Sequence, residues 1–247
     1  MISEMPLLIF TVLGGLAAGI YAVACFAPKA VEGKKPWVIP AITLVLLAIG
    51  GVALMFHLGH PERFLLALRN ISAGITQEAY ATMAFGVVVL IDLVLSLAGK
   101  QASRALRIVG TVLGIVLVLV MANAYFGITS VAAMHNVMTF VVFLACAAAM
   151  GATCILAMST AEDNAKLARI AGILAGVAAA SMLIEGIVYA GAGLAIAPHV
   201  IAAVLAAAGC ACVFLFPKKG RVLAIAAFVL VFVAVVISRY AFYLAIA

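Results

Sequence analysis

The sequence predicts an all-α integral membrane protein, a bundle of eight transmembrane helices. Hydrophobic residues fill 69% of the 247 positions and charged residues 9%, against roughly 25% charged in a soluble domain. Eight apolar runs each approach the length of about 20 residues that a helix needs to cross a bilayer. The breaks between these runs hold nearly all the Lys and Arg, concentrated on alternate sides. A closed barrel is the other spanning architecture, but the runs are too long for its strands and lack period-two alternation.

The first run, 6–27, follows "MISEMPLLIF". That start has no basic segment, and the run exceeds a signal-peptide core, so it is expected to stay as the first span. "PKAVEGKKP" ends it. The second span, 37–57, finishes at His57. The stretch "FHLGHPERFLLALRNISAGITQEA" then leads to the third span, 79–98. Inside it, Pro61 suits the first position of a helix. Arg63 can reach water while Phe64, Leu65 and Leu68 face lipid or the bundle, so a short interfacial helix over Pro61–Leu68 is expected. "GKQASR" precedes the fourth span, 107–127, and "TSVAAMHN" precedes the fifth, 136–158. "STAEDNAK" introduces the sixth, 169–190, "GAGLAIAP" the seventh, 197–216, and "PKKGR" the eighth, 222–245. The pairs Gly15-x₃-Gly19 and Gly110-x₃-Gly114 have the spacing that lets membrane helices approach closely. No soluble segment is polar enough to form a second domain, so 1–247 reads as one transmembrane unit. No internal repeat is evident, although four plus four helices allow one.

Eleven of the fourteen Lys and Arg fall in the loops after the first, third, fifth and seventh spans. The other side has Arg63, Arg69 and Arg239. The positive-inside rule puts the eleven in the cytoplasm, and both termini and the loop after the second span outside. The net charge of +6 therefore reads as topology. No basic, aromatic-interleaved patch suggests nucleic acid. The five cysteines lie within apolar runs and lack the ligand spacing of iron–sulfur or structural zinc sites. They read as small buried thiols, and no metal is expected.

Ionisable residues inside a membrane are costly and commonly functional. Asp92, two turns before Lys100, is expected to pair or meet water near the cytoplasmic surface. Glu185, in "SMLIEGIVYAG", lies a turn or two below the outer surface. Arg239, in "ISRYAFYLA", cannot shed its charge and needs a partner or a route to water. Tyr125 and Asn123 lie at similar depth on the fourth span. His57 ends the second span, and Glu78 opens the third on the same side. The polar groups thus gather at the outer end, with only Asp92 at comparable depth on the other.

Oxidation of a quinol suits such a cluster. The ring needs an apolar slot reached from lipid, hydrogen-bond partners for two oxygens, and a base titrating near neutrality. Histidine supplies that base, and a carboxylate can pass the proton on; His57 with Glu78 or Glu185 fits. Haem is not expected, because His57, His60, His135 and His199 all fall at helix ends or in loops on the outer side. The polypeptide itself offers no electron carrier.

The loop also resembles a known family. His57-Leu58-Gly59-His60-Pro61-Glu62-Arg63, then Asn70, Ser72, Thr76 and Glu78, is similar to the loop signature of the membrane-anchor subunits of anaerobic dimethyl sulfoxide reductases. These belong to the quinol-interacting membrane subunits of molybdoenzymes. Arg239, Phe242 and Tyr243 resemble an Arg followed by Phe-Tyr in that family's last helix, and eight spans with both termini outside is its topology. The resemblance implies a multi-pass protein of a bacterial or archaeal cytoplasmic membrane. It implies an iron–sulfur electron-transfer partner, a molybdopterin catalytic partner, and menaquinol as reductant. By the same resemblance His57 and Glu78 are associated with quinol binding and oxidation. Arg63, Arg239, Tyr243, Tyr125 and Glu185 complete the expected quinol site, the last two on depth alone. In the expected order His57 takes the first proton and Glu78 carries it outward.

Two other readings stand beside this one. A proton-coupled secondary transporter would use Glu185 or Asp92, but such sites lie near the midplane. A passive anchor would bind partners and no quinone.

Overall fold

The computed structural model describes residues 4–31, 35–57, 62, 64–159 and 165–245. Among them are the helices α1 (Met5–Phe26), α2 (Val38–His57), α3 (Phe64–Ala67), α4 (Gly74–Leu97) and α5 (Arg104–Phe126). The fold continues with α6 (Met138–Met158), α7 (Ala165–Gly191), α8 (Ala197–Lys219) and α9 (Arg221–Leu244). All but α3 are long and apolar enough to cross a membrane, so this is a multi-pass membrane protein. No strand occurs among the described residues.

Local chemistry sets several helix ends. Proline opens α1 within its first two positions, where its missing N–H costs nothing. Ser103 caps α5 by accepting a hydrogen bond from the Leu106 amide at 3.2 Å. Gly220 alone separates α8 from α9, with φ at +65°, a conformation that glycine takes without steric cost.

Several span ends depart from the sequence reading by three residues or more, and two departures near the loop motif bear on the site. The third span begins at Gly74 instead of 79, which places Glu78 inside the helix. Thr76 and Glu78, whose polarity marks a loop in the sequence, are both buried in the bundle. The loop helix expected over Pro61–Leu68 is one described turn, Phe64–Ala67; Pro61 and Arg63 lie outside the described residues.

The helices form two rings of four. α1 packs on α2 and α5, α2 on α4, and α4 on α5. In the same way α6 packs on α7 and α9, α7 on α8, and α8 on α9. The halves join through α1 against α6, flanked by α5–α6 and α1–α9 contacts. The first helix of each half is thus the central one, and α1 and α6 are the most buried spans. Both halves run up-down-up-down in the same sense. A fourfold-plus-fourfold order is therefore present in space where the sequence shows no repeat.

Glycine makes the central crossing possible. A side chain at Gly19 would run into the Ala147 carbonyl, and one at Gly151 into the Gly19 backbone. The Gly15-x₃-Gly19 pair meets Ala147-x₃-Gly151 on α6, so the partner stripe contains one alanine. Gly110-x₃-Gly114 on α5 receives α1 as well: Tyr21 lies over Gly110 and Ala18 over Gly114.

The bundle has two chemically distinct ends. One carries the start of α1 and the end of α9; we call it the terminal face. The other carries Lys35, Arg104, Arg107, Lys166 and Arg169; we call it the basic face. At the basic face Asp92 is 1% exposed, and its partners come from three elements. Tyr21 donates to Oδ2 at 2.9 Å, Ser96 donates to Oδ1 at 3.3 Å, and Arg107 Nε lies 3.3 Å from Oδ2. This agrees with the expected pairing near that surface. Arg107→Gln would strand the Asp92 carboxylate and is expected to cost about 3 kcal/mol, the low end for breaking a buried pair because Arg107 is partly exposed. The Asp92→Asn/Arg107→Gln double variant should regain most of that loss. Thermal midpoints in detergent measure both.

Candidate functional site

The terminal face holds most of the buried polar groups that lack partners. α9 contributes Ser238, Arg239, Phe242 and Tyr243, all buried. Their spacing places Ser238 with Phe242, and Arg239 with Tyr243, one turn apart on the inner side. Tyr243 donates to the Tyr125 hydroxyl of α5 at 2.7 Å and lies 3.1 Å from Thr11 Oγ1 of α1. Thr11 in turn donates to the Leu7 carbonyl at 3.0 Å. A run of hydroxyls therefore ties the last helix of each half to α1. Tyr243→Phe removes the central link and is expected to cost about 1–2 kcal/mol, read as a lower thermal midpoint in detergent.

Arg239 is 2% exposed, so it does not snorkel to the surface. Its guanidinium carbon sits 3.3 Å from the centroid of the Phe143 ring of α6 and 5.9 Å from that of Phe242. Stacking on an aromatic face is a favourable setting for a buried guanidinium. Its charge also acts on Glu185, Tyr125 and Tyr243. Nη1 has no hydrogen-bond partner.

Glu185 and Tyr189 lie one turn apart on the buried side of α7. Ser238 donates to Glu185 Oε2 at 3.3 Å, and His199 Nε2 of α8 lies 3.7 Å from the same oxygen. His199 is fully buried and packs its ring on Tyr189 with 4.6 Å between centroids. Neither His199 nitrogen, nor Glu185 Oε1, nor the Tyr189 hydroxyl makes a well-aligned hydrogen bond. Across the bundle, Glu78 of α4 is 2% exposed and its Oε1 is likewise unpartnered. It lies within electrostatic reach of Tyr125 and Tyr243, so it belongs to the same neighbourhood.

His57 stands apart from this buried group. At the last position of α2 it lies 3.4 Å, Nδ1 to Oε2, from Glu4 at the start of α1, and its side chain is 30% exposed. Among the described residues no hydrogen bond or ion pair joins it to Glu78. Arg63, His60 and the rest of the Leu58–Pro61 motif lie outside the described residues. Of the expected residues, Tyr125, Tyr243, Arg239, Glu185 and Glu78 are therefore brought together, and His57 sits at the rim.

Thr11, Phe143, Tyr189, Ser238 and His199 join the site although the sequence does not single them out for it. His199 is the main omission. The sequence puts it at a helix end, yet it is the third residue of α8 and faces α7. The connection 192–196 is short, so α7 and α8 form a tight hairpin. Counting outward from it pairs His199 with Tyr189, on whose ring it packs, one turn from Glu185.

Buried polar groups are normally hydrogen-bonded. All but one of the unpartnered buried side-chain atoms among the described residues lie at the terminal face, and the exception, Arg107 Nε, is ion-paired. Such a concentration suits a polar, oxygen-bearing guest held among aromatic rings.

Eight spans in two four-helix halves, with a cluster of buried polar groups at one end, define a polytopic membrane protein with a candidate ligand site near one surface. The protein belongs to the DMSO reductase anchor subunit family, DmsC, whose family model it matches over residues 1–245. It is 33% identical over 146 residues to the C subunit of the anaerobic dimethyl sulfoxide reductase of Escherichia coli (strain K12), a match covering 55% of this sequence. The match spans about half the length of that relative, 50%.

Proposed function

We propose that this protein anchors a dimethyl sulfoxide reductase-type complex in a bacterial or archaeal cytoplasmic membrane and oxidises menaquinol at its terminal face. The observation that carries the reading is the cluster of buried acid, imidazole and hydroxyl groups, several with an unpartnered atom, at one end of a member of this family. In this reading an iron–sulfur subunit docks at the terminal face, takes two electrons from each quinol, and passes them to a molybdopterin catalytic subunit. Neither haem nor a metal in the anchor takes part. The one-sided position of the polar groups also favours this reading over a transporter, whose site lies near the midplane.

Quinol oxidation releases two protons, and the two halves offer one acidic acceptor each. Glu78 accepts from one hydroxyl through its unpartnered oxygen. Its exposure against that of His57 favours the reverse of the expected order: the buried carboxylate receives the proton, and His57 at the rim hands it toward Glu4 and water. Glu185 accepts the second proton, with His199 beside it as the next station. Arg239, Tyr125 and Tyr243 orient the quinol oxygens, and the Phe143 and Phe242 rings wall the apolar slot. Arg63 stays in the proposal on its place in the loop motif. The test is oxidation of a quinol analogue by membranes carrying the co-expressed complex, comparing the parent with His57→Ala and Glu78→Ala. Subunit assembly is checked in parallel. Unchanged oxidation in both variants, with assembly intact, would remove His57 and Glu78 from the site.

A further inference from the structure

A second site lies at the opposite end of the bundle. A cavity of about 240 Å³ opens between α1, α2, α4 and α5 at the basic face. Its lining combines the apolar Ala24, Val31 and Ile39 and three prolines with the polar Tyr21, Asp92, Arg107, Gln101 and Lys35.

Most of the acceptor capacity of the Asp92 carboxylate is already committed. Both Asp92 oxygens are occupied, by Tyr21 and Arg107 on one side and Ser96 on the other. The donors remain. Lys35 and Gln101 are exposed at the mouth, and Arg107 engages Asp92 through Nε, one of its five N–H donors. The charged donors of the lining therefore suit a guest that carries acceptor oxygens. Lys35, Arg107 and Asp92 sum to one positive charge, so a single negative charge completes the balance. The apolar residues of the lining suit a guest that also has a hydrocarbon part.

We propose that this cavity binds the phosphodiester headgroup of an anionic membrane lipid, with Arg107 and Lys35 on the phosphate and an acyl tail along Ile39 and Val31. Arg is suited to phosphate oxygens through its fork of donors, and basic pockets between membrane helices are general sites for anionic headgroups. A zwitterionic lipid would bring its own cation to the cationic mouth and bind less well. The site is independent of the quinol reading, since it lies at the other face.

Native mass spectrometry of the full-length protein in detergent tests this, titrating dioleoyl phosphatidylglycerol, dioleoyl phosphatidylcholine or sodium phosphate. The parent and Lys35→Arg are expected to retain one phosphatidylglycerol in preference to phosphatidylcholine. Lys35→Glu should reduce that retention about tenfold, and because Lys35 is exposed the change leaves the buried pair untouched. Lys166→Glu makes the same charge change at the same face outside the cavity and should have no effect. Equal retention of the two lipids, or retention unaltered by Lys35→Glu, overturns the proposal. Displacement of the lipid by inorganic phosphate assigns the cavity to a free anion and overturns it equally.

Discussion

Gly151→Leu is expected to prevent the folded bundle from forming. The Gly151 position has the Gly19 backbone directly in the path of a Cβ, with Gly19 Cα at 2.6 Å. Real Cβ atoms do not approach other heavy atoms that closely, and backbone cannot turn aside as a flexible side chain can. The helices must separate, and this crossing is the main seam between the halves. Association of membrane helices depends on close van der Waals packing, because lipid is as apolar as the side chains. Separation therefore removes the main attraction along the seam. Overpacking usually costs about 1–3 kcal/mol; a collision with backbone at the seam is expected to exceed about 3 kcal/mol. In fluorescence-detected size exclusion, Gly151→Leu should lose the monodisperse peak of the detergent-solubilised protein. Gly86→Leu is the comparison, since nothing lies within 4 Å of a Cβ there, and it should keep that peak. Gly15→Ala should also be tolerated, because its nearest neighbours, Met150 Cε and Ala147 Cβ, lie at 3.6 and 3.7 Å. A normal peak for Gly151→Leu would show that the halves do not depend on this crossing.

The spans were legible because crossing a bilayer demands long apolar runs, and all eight stand out. Their ends were less so. Hydropathy treats Thr76 and Glu78 as loop residues, and only the packed bundle distinguishes a polar side chain turned inward from one turned to water. The glycine spacings marked faces for close packing but not the partners; Ala147 and Gly151 look ordinary in an alanine-rich helix. The site was half legible. Glu185, Arg239 and Tyr125 drew attention by their depth, which the sequence reports directly, and Tyr243 through its resemblance to the family's last helix. Thr11, Ser238 and Tyr189 did not, because their types are common in membrane helices and their relevance depends on which neighbour they face. His57 is the opposite case. Its motif is conspicuous, but its described partner, Glu4, precedes the first span by one residue, where apolar-run analysis does not look.

Glu78→Gln is expected to lower quinol-analogue oxidation about a hundredfold, within the range for loss of a positioned proton acceptor. The amide keeps the shape and the buried setting of the side chain but cannot take a proton, so assembly of the complex should persist. His57→Ala should cost less, because His57 is partly exposed and water can replace a relay at the rim. Glu185→Gln should fall between them, near tenfold, since His199 stands 3.7 Å away and can accept in its place. Glu185→Gln/His199→Gln removes both acceptors of that half and should match Glu78→Gln. Rates of quinol-analogue oxidation, with co-purification of the partner subunits as the control, separate the possibilities. Equal losses for His57→Ala and Glu78→Gln would restore His57 as the first acceptor. Loss for Glu78→Gln with none for the Glu185 and His199 variants would confine proton release to the first half. Parent-like rates for every variant, with assembly intact, would leave the protein as an anchor whose polar end serves packing alone.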